Sequence, residues 1–264
     1  MAPGAAHAQE WRTIESSRQL RGDSAAVVRV EYAAGTLELV PTSGNLLYRM
    51  TLRYDAERSV PLSMFQGGAV TIGTRSAASG GWKSGTREAN TFRAELTQRV
   101  PIRLALELGA TRADIQLGGM RLTDLELRAG ASEVRLDVDA PNQESLAEFD
   151  LDVGAADITL RRAGNLRAAH VRINVGAGSL DYDLDGVWDR EIELSANVAV
   201  GTLKLRVPTD VGLRVTARTF LAGFERAGLV KRGDAWYSPD YDAAPRRANV
   251  RVTAVLGGFE IIRR

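Results

Sequence analysis

Five segments of this chain repeat one form: a run alternating apolar and polar residues, a glycine followed by a small residue, then a second short alternating run. The first runs are Leu104-Ala-Leu-Glu-Leu, Leu125-Glu-Leu-Arg-Ala, Phe149-Asp-Leu-Asp-Val, Val171-Arg-Ile-Asn-Val and a variant, Ile192-Glu-Leu-Ser-Ala. The second runs begin at Ala113, Val134, Ile158, Leu180 and Leu203. The corner glycines Gly109, Gly130, Gly154, Gly176 and Gly201 follow one another by 21, 24, 22 and 25 residues, and such a period constrains a fold more than any single motif.

Strict alternation marks a strand with one buried and one wet face, because successive side chains leave a strand on opposite sides. Each repeat therefore reads as two strands. A tight hairpin wants an Asn-Gly or Asp-Gly turn, and these corners read Gly-Ala followed by polar residues. Stacked as parallel rungs about 4.8 Å apart, the repeats put Leu on Leu inside and Asp, Arg, Glu and Thr outside. Glycine at the corner permits a positive φ or a close backbone approach. Related forms, Val28 to Leu39 and Val250 to Ile261, bring the number of units to seven.

The expected fold is thus all-β, a single-chain parallel β-solenoid of two-strand rungs about 22 residues long, with an irregular N-terminal module and a C-terminal flap. The crossover rule favours a right-handed winding. Residues 1–11 read as a tail or the end of a signal peptide, and 12–99 as an N-terminal β module. That module holds a strand over Leu47–Tyr54 and, over Gly67–Asn90, a Gly/Ser-rich stretch that reads as a long loop or a loose hairpin. Residues 100–264 form the array, interrupted at 220–247 by a segment expected to cap it, since an uncovered rung is an unpaired strand edge. Only Gln143–Glu148 and Phe220–Ala227 have room for a helical turn or two.

At 264 residues and 44% hydrophobic, the chain can bury a substantial core. Its 34 basic and 33 acidic residues nearly cancel, which excludes the single-sign field of a nucleic-acid binder. With no cysteine there is no disulfide framework, thiolate metal site or Cys nucleophile. No apolar stretch approaches the roughly 18 residues that span a bilayer. Ala6-His7-Ala8 has the small-x-small form of a signal-peptidase site, so an exported protein, periplasmic or extracellular, is expected.

The run Val100-Pro-Ile-Arg-Leu-Ala-Leu-Glu-Leu-Gly-Ala-Thr-Arg-Ala-Asp-Ile-Gln-Leu, continuing through Leu125-Glu-Leu-Arg-Ala-Gly-Ala, resembles the bacterial toast-rack domains of unknown function. It is also similar to the extracytoplasmic parts of LiaF-type envelope stress proteins and related adhesin-like proteins. The resemblance covers about Arg12 to Arg264, with Arg29–Thr74 similar to the toast-rack N-terminal module. It implies a β-solenoid at the bacterial envelope and supplies no catalytic or binding residues to carry over. LiaF-type proteins carry membrane helices before this domain, and this sequence shows none.

One local motif suggests a cation. Asp181-Tyr-Asp183-Leu-Asp185-Gly-Val-Trp-Asp189 matches the opening of a calcium loop, but Ile192 stands where the bidentate twelfth-position Glu belongs. The competing reading is a strand with Leu180, Tyr182 and Leu184 inward and the aspartates wet. Asp137, Asp139, Asp150, Asp152 and Asp157, with Arg135, Arg161 or Arg172 nearby, raise the alternative of a carbohydrate-active β-helix enzyme. Solvated carboxylates on a strand's outer face do not raise their own pKa, which disfavours it. His7 and His170 are too few for a histidine metal site or a Ser-His-Asp arrangement.

Trp82, Trp236, Tyr237 and Tyr241 stand in irregular segments, where rings stack on sugars, anchor a partner or seal a cap; the last three are the ligand-binding candidates. The functional expectation is a non-enzymatic, adhesin-like or envelope-stress-associated binding or scaffolding domain. Its partner would be an envelope protein or glycan, and the stack ends offer a route to homo-oligomers.

Overall fold

The computed structural model describes residues 10–77, 89–226 and 228–264. Wherever the sequence alternates, the chain is extended: β1 (Trp11–Gln19), β2 (Ala26–Thr42), β3 (Leu46–Asp55), β4 (Ser59–Gln66), β5 (Ala69–Ser76), β6 (Thr91–Thr97), β7 (Ile102–Gln116) and β8 (Leu122–Ala129). The second half holds β9 (Glu133–Asp137), β10 (Glu148–Arg161), β11 (His170–Asp183), β12 (Ile192–Val207), β13 (Val211–Arg226), β14 (Val230–Arg232), β15 (Ala235–Tyr237) and β16 (Arg246–Arg263). The protein is all-β; among the described residues the one helical piece is a 3-10 turn at Ala163–Leu166.

Strands β2, β7, β8 with β9, β10, β11, β12, β16 and β13 pair in parallel, each in register with the next. Register makes columns. Val28, Leu104, Leu125, Phe149, Val171, Leu194, Val250 and Val215 lie one above another, all buried. A second column runs from Leu37 through Ala113, Val134, Ile158, Leu180 and Leu203 to Phe259, whose ring stacks at 5.1 Å on Phe224.

The two runs of each repeat are not two strands, as expected, but one long strand bent at the corner; only β8 and β9 are separate. Two successive residues face outward at the bend, as at Gly154 and Ala155 in β10 between buried Val153 and Ala156. This shifts the alternation by one, so both arms keep their apolar side on the core.

The glycines fall into two columns. Gly109, Gly130, Gly154 and Gly176 have ordinary φ and are needed for close approach: a Cβ at Gly130 or Gly176 would lie 2.8 or 2.7 Å from the carbonyl oxygen of the preceding corner glycine. Gly178, Gly201 and Gly257 form the other, with φ of 124°, 136° and 125°. Gly201 therefore corrects the assumed period. It pairs with Gly178, and Ala199 stands in the column of Gly176, which makes that spacing 23 residues.

Three further expectations are revised. Phe220–Arg226 is the second arm of β13, an eighth unit, and not helical, because Ala222 and Phe224 still turn toward the core. Gln143–Ala147 is irregular, and helix is absent there too. Ala69–Ser76, in the stretch expected as a long loop or loose hairpin, is a regular strand: Val70 and Ile72 are buried, and Gly67 and Gly68, both at positive φ, turn the β4–β5 hairpin. Residues 78–88 of the Gly/Ser-rich stretch, with Trp82, lie outside the described residues, as does Ala6-His7-Ala8.

The ends differ. At one, β5 with β4 and β6 with β3 and β1 cover both arms of β2. At the other, β16 inserts between β12 and β13, and the β14–β15 hairpin covers β13 only at Arg214 and Val215.

Candidate functional site: a groove along the glycine corner

Because the corner residues lack bulk, their column sinks below the surface. The result is an open groove of about 920 Å3 floored by Ala33, Gly109, Gly130, Gly154, Gly176 and Ala199. Arg75 and Ser76 stand at one end, Thr253 and Val255 at the other. One wall is the column two residues before the corner: Glu31, Glu107, Arg128, Asp152, Asn174 and Asn197.

These wall groups bond from rung to rung. Asn197 Nδ2 donates to Asn174 Oδ1 at 3.0 Å, and Asn174 Nδ2 to Asp152 Oδ1 at 2.9 Å. Arg128 lies 3.9 Å from both Glu107 and Asp152, Arg29 pairs with Glu107 at 2.9 Å, and Arg75 is bidentate on Glu31. Hydrogen bonding from Arg75 holds the Glu31 carboxyl below its ordinary range. The wall is consequently polar with its charges largely matched, and it carries a hydrogen-bond donor or acceptor at every rung, both at Asn174 and Asn197. Under its first rung, the buried Tyr32 ring lies 5.3 Å from Phe92, and its hydroxyl, which finds no hydrogen-bond partner among the described residues, is pushed up in pKa by burial.

The wall was not singled out from sequence, although its signal is present: a polar residue stands two places before each corner, as Glu107 before Gly109 and Asn174 before Gly176.

The four aspartates of the calcium-like motif do not converge. Asp181, on β11, takes two hydrogen bonds from Arg206, at 2.8 and 2.7 Å. Asp183 is buried and engaged by Arg264 and the Asp185 amide; Asp189 meets Arg167 at 3.1 Å. Leu180 and Tyr182 are buried on β11, as a strand requires, while Asp183, expected to be wet, is buried with Leu184 just after the strand ends. Among the described residues no group of three or more His, Cys, Asp or Glu side chains is placed to hold a metal ion. The acids of the enzyme alternative are likewise spread along the outer faces. Asp137 pairs with Arg162, Asp150 with Arg172, and Asp157 accepts from Ser179.

The aromatic candidates separate into two groups. Trp236 meets Phe224 edge-on at 6.3 Å and carries Arg226 over its face, closing the end of the core. Tyr237 and Tyr241 pack edge-to-face at 5.1 Å on the outer side; Arg214 donates to the Tyr237 hydroxyl and Tyr241 donates to Asn249.

The family model described as the N-terminal domain of toast_rack, DUF2154, matches residues 6–161, more than half of the chain. The chain belongs to the toast-rack family. No curated protein matches it. Among solved structures, this toast-rack protein is similar to a putative cell adhesion protein from Clostridium sporogenes, with 12% identity and TM-score 0.45, over 96% of this chain and 100% of that one. It is also similar to a putative adhesin from Bacteroides fragilis, with 11% identity and TM-score 0.42, over 97% and 98% of the two chains. A third is a putative adhesin from Parabacteroides distasonis, with 7% identity and TM-score 0.44, over 96% and 98%. No helix of the described residues is long and apolar enough to cross a membrane.

Proposed function

We propose that this toast-rack protein is a non-enzymatic, exported binding domain of the bacterial envelope. Its parallel ladder winds as a solenoid, and its corner groove takes an extended, hydroxyl-rich polymer, a glycan. The observation that carries the reading is the groove wall from Glu107 to Asn197, which repeats a hydrogen-bonding group at each rung spacing of about 4.8 Å. A polymer with a similar repeat meets the same chemistry at every unit, and weak contacts sum along its length. The matched charges of the wall favour an uncharged chain over a polyanion. Export is supported by the Ala6-His7-Ala8 sequence and the absence of cysteine, and adhesion is what the names of the similar structures suggest.

The test is calorimetric titration with β-1,4-linked N-acetylglucosamine oligomers, alongside a panel of other neutral glycans. Binding weakened about tenfold by Asn174→Ala or Asn197→Ala, with unchanged melting, supports the groove, since each lost polar contact removes on the order of 1 kcal/mol. Binding that survives both substitutions places the ligand elsewhere, and hydrolysis of the oligomers would restore the enzyme reading.

A further inference from the structure

The corner changes character toward the β13 end. One outward column is alanine at Ala34, Ala110, Ala155 and Ala177, then becomes Val200, Leu256 and Leu221. The column beside it ends in Val255 and Phe220 where glycine stood. Phe220 is 79% and Leu221 66% exposed, so core packing does not account for their bulk. The β15 strand stops pairing at Val215, and Thr216–Glu225 has no strand on its far side among the described residues. An apolar ridge thus coincides with an open strand edge. A lipid surface would cover the side chains but leave the edge N–H and C=O groups unsatisfied; a strand satisfies both.

We propose that this edge joins a second copy of the same chain through a two-fold axis passing between Phe220 and Leu221. Such an axis exchanges the two arms of β13 and makes the copies antiparallel. Because the alternation shifts at the bend, every facing pair then lies on one side of the sheet: Phe220 opposite Leu221, Arg218 opposite Gly223, and Thr219 opposite Ala222 of the second copy. An isologous contact demands this self-complementarity. Arg218 and Glu225 make no ion pair among the described residues, and the two-fold sets them diagonally opposite each other in both halves. Gly223 has open space where its Cβ would be, leaving room for the facing Arg218. The inference does not depend on the groove binding a glycan.

Sedimentation of the full chain from micromolar to millimolar concentration reads the association. A monomer–dimer equilibrium is expected. Phe220→Lys or Leu221→Lys should weaken it about tenfold or more while leaving melting unchanged, because both side chains are exposed and central to the contact. The register is read separately. The chain has no cysteine, so Arg218→Cys and Gly223→Cys variants, mixed and oxidised, should cross-link to each other while neither does so alone, as strand-paired Cα atoms lie within disulfide reach. A monomer throughout the range overturns the proposal. So do a dimer indifferent to both lysine variants, a mixture that cross-links no better than its components, or a wild-type monomer that binds phospholipid vesicles through Phe220.

Discussion

A methyl group added at Gly201 would strike the Gly178 carbonyl and sit at a φ that L-residues avoid, whereas one at Gly154 would rest 3.3 Å from the Gly130 carbonyl at an ordinary φ. Gly201→Ala should therefore cost about 3 kcal/mol and Gly154→Ala under about 1 kcal/mol in urea unfolding; equal losses would contradict the two-column assignment. The need for glycine at the corners was legible in the sequence. Which glycine did which job was not, since Gly176-Ala-Gly178 contains one of each kind and both look alike as letters. The turn after β1 makes a second prediction. Arg18 donates twice to Asp23 and the Arg21 amide once, bringing the Asp23 carboxyl to about 2 from its ordinary 3.8. A depressed folded-state pKa contributes stability that is complete above the ordinary value and is lost as pH falls through the folded one. Melting temperature should fall between those two values, and less steeply in Asp23→Asn; identical slopes would contradict the pairing.

Elements were legible where alternation was strict and hidden where a corner was replaced. β7, β10 and β11 follow directly from their Leu, Val and Ile spacing. The second arm of β13 does not, because Phe220-Leu221 stands where other rungs have Gly-Ala, and the outward Leu221 is as apolar as the inward Ala222 and Phe224. In β11 the same alternation separates a strand from a cation loop. Asp181 and Asp183 each pair with an arginine, Arg206 and Arg264. Millimolar calcium should accordingly leave the melting temperature unchanged relative to EDTA, since only a ligand bound by the native state raises it. Asp183→Asn should lower stability by about 1–2 kcal/mol through loss of a charge-assisted hydrogen bond to a buried group. A calcium-dependent rise abolished by that substitution would return the motif to a binding role.

At the scale of the molecule, periodicity shows that rungs stack but carries no information on their order. The insertion of β16 between β12 and β13 is invisible in the letters, since Val250 to Ile261 fits any neighbour with a matching apolar column. The groove is a property of that order. It exists because corner residues from β2 to β12 align over six rungs, spanning about 24 Å at 4.8 Å per step. Its central consequence is a dependence on ligand length. The decisive measurement is the affinity of β-1,4-linked N-acetylglucosamine oligomers as a function of their length. The account predicts that affinity rises with each added sugar until the oligomer fills the groove and then levels off, with the rise blunted in Asn174→Ala. Affinity independent of length, or saturated by one or two sugars, would mean a local pocket and contradict a groove read along the rungs.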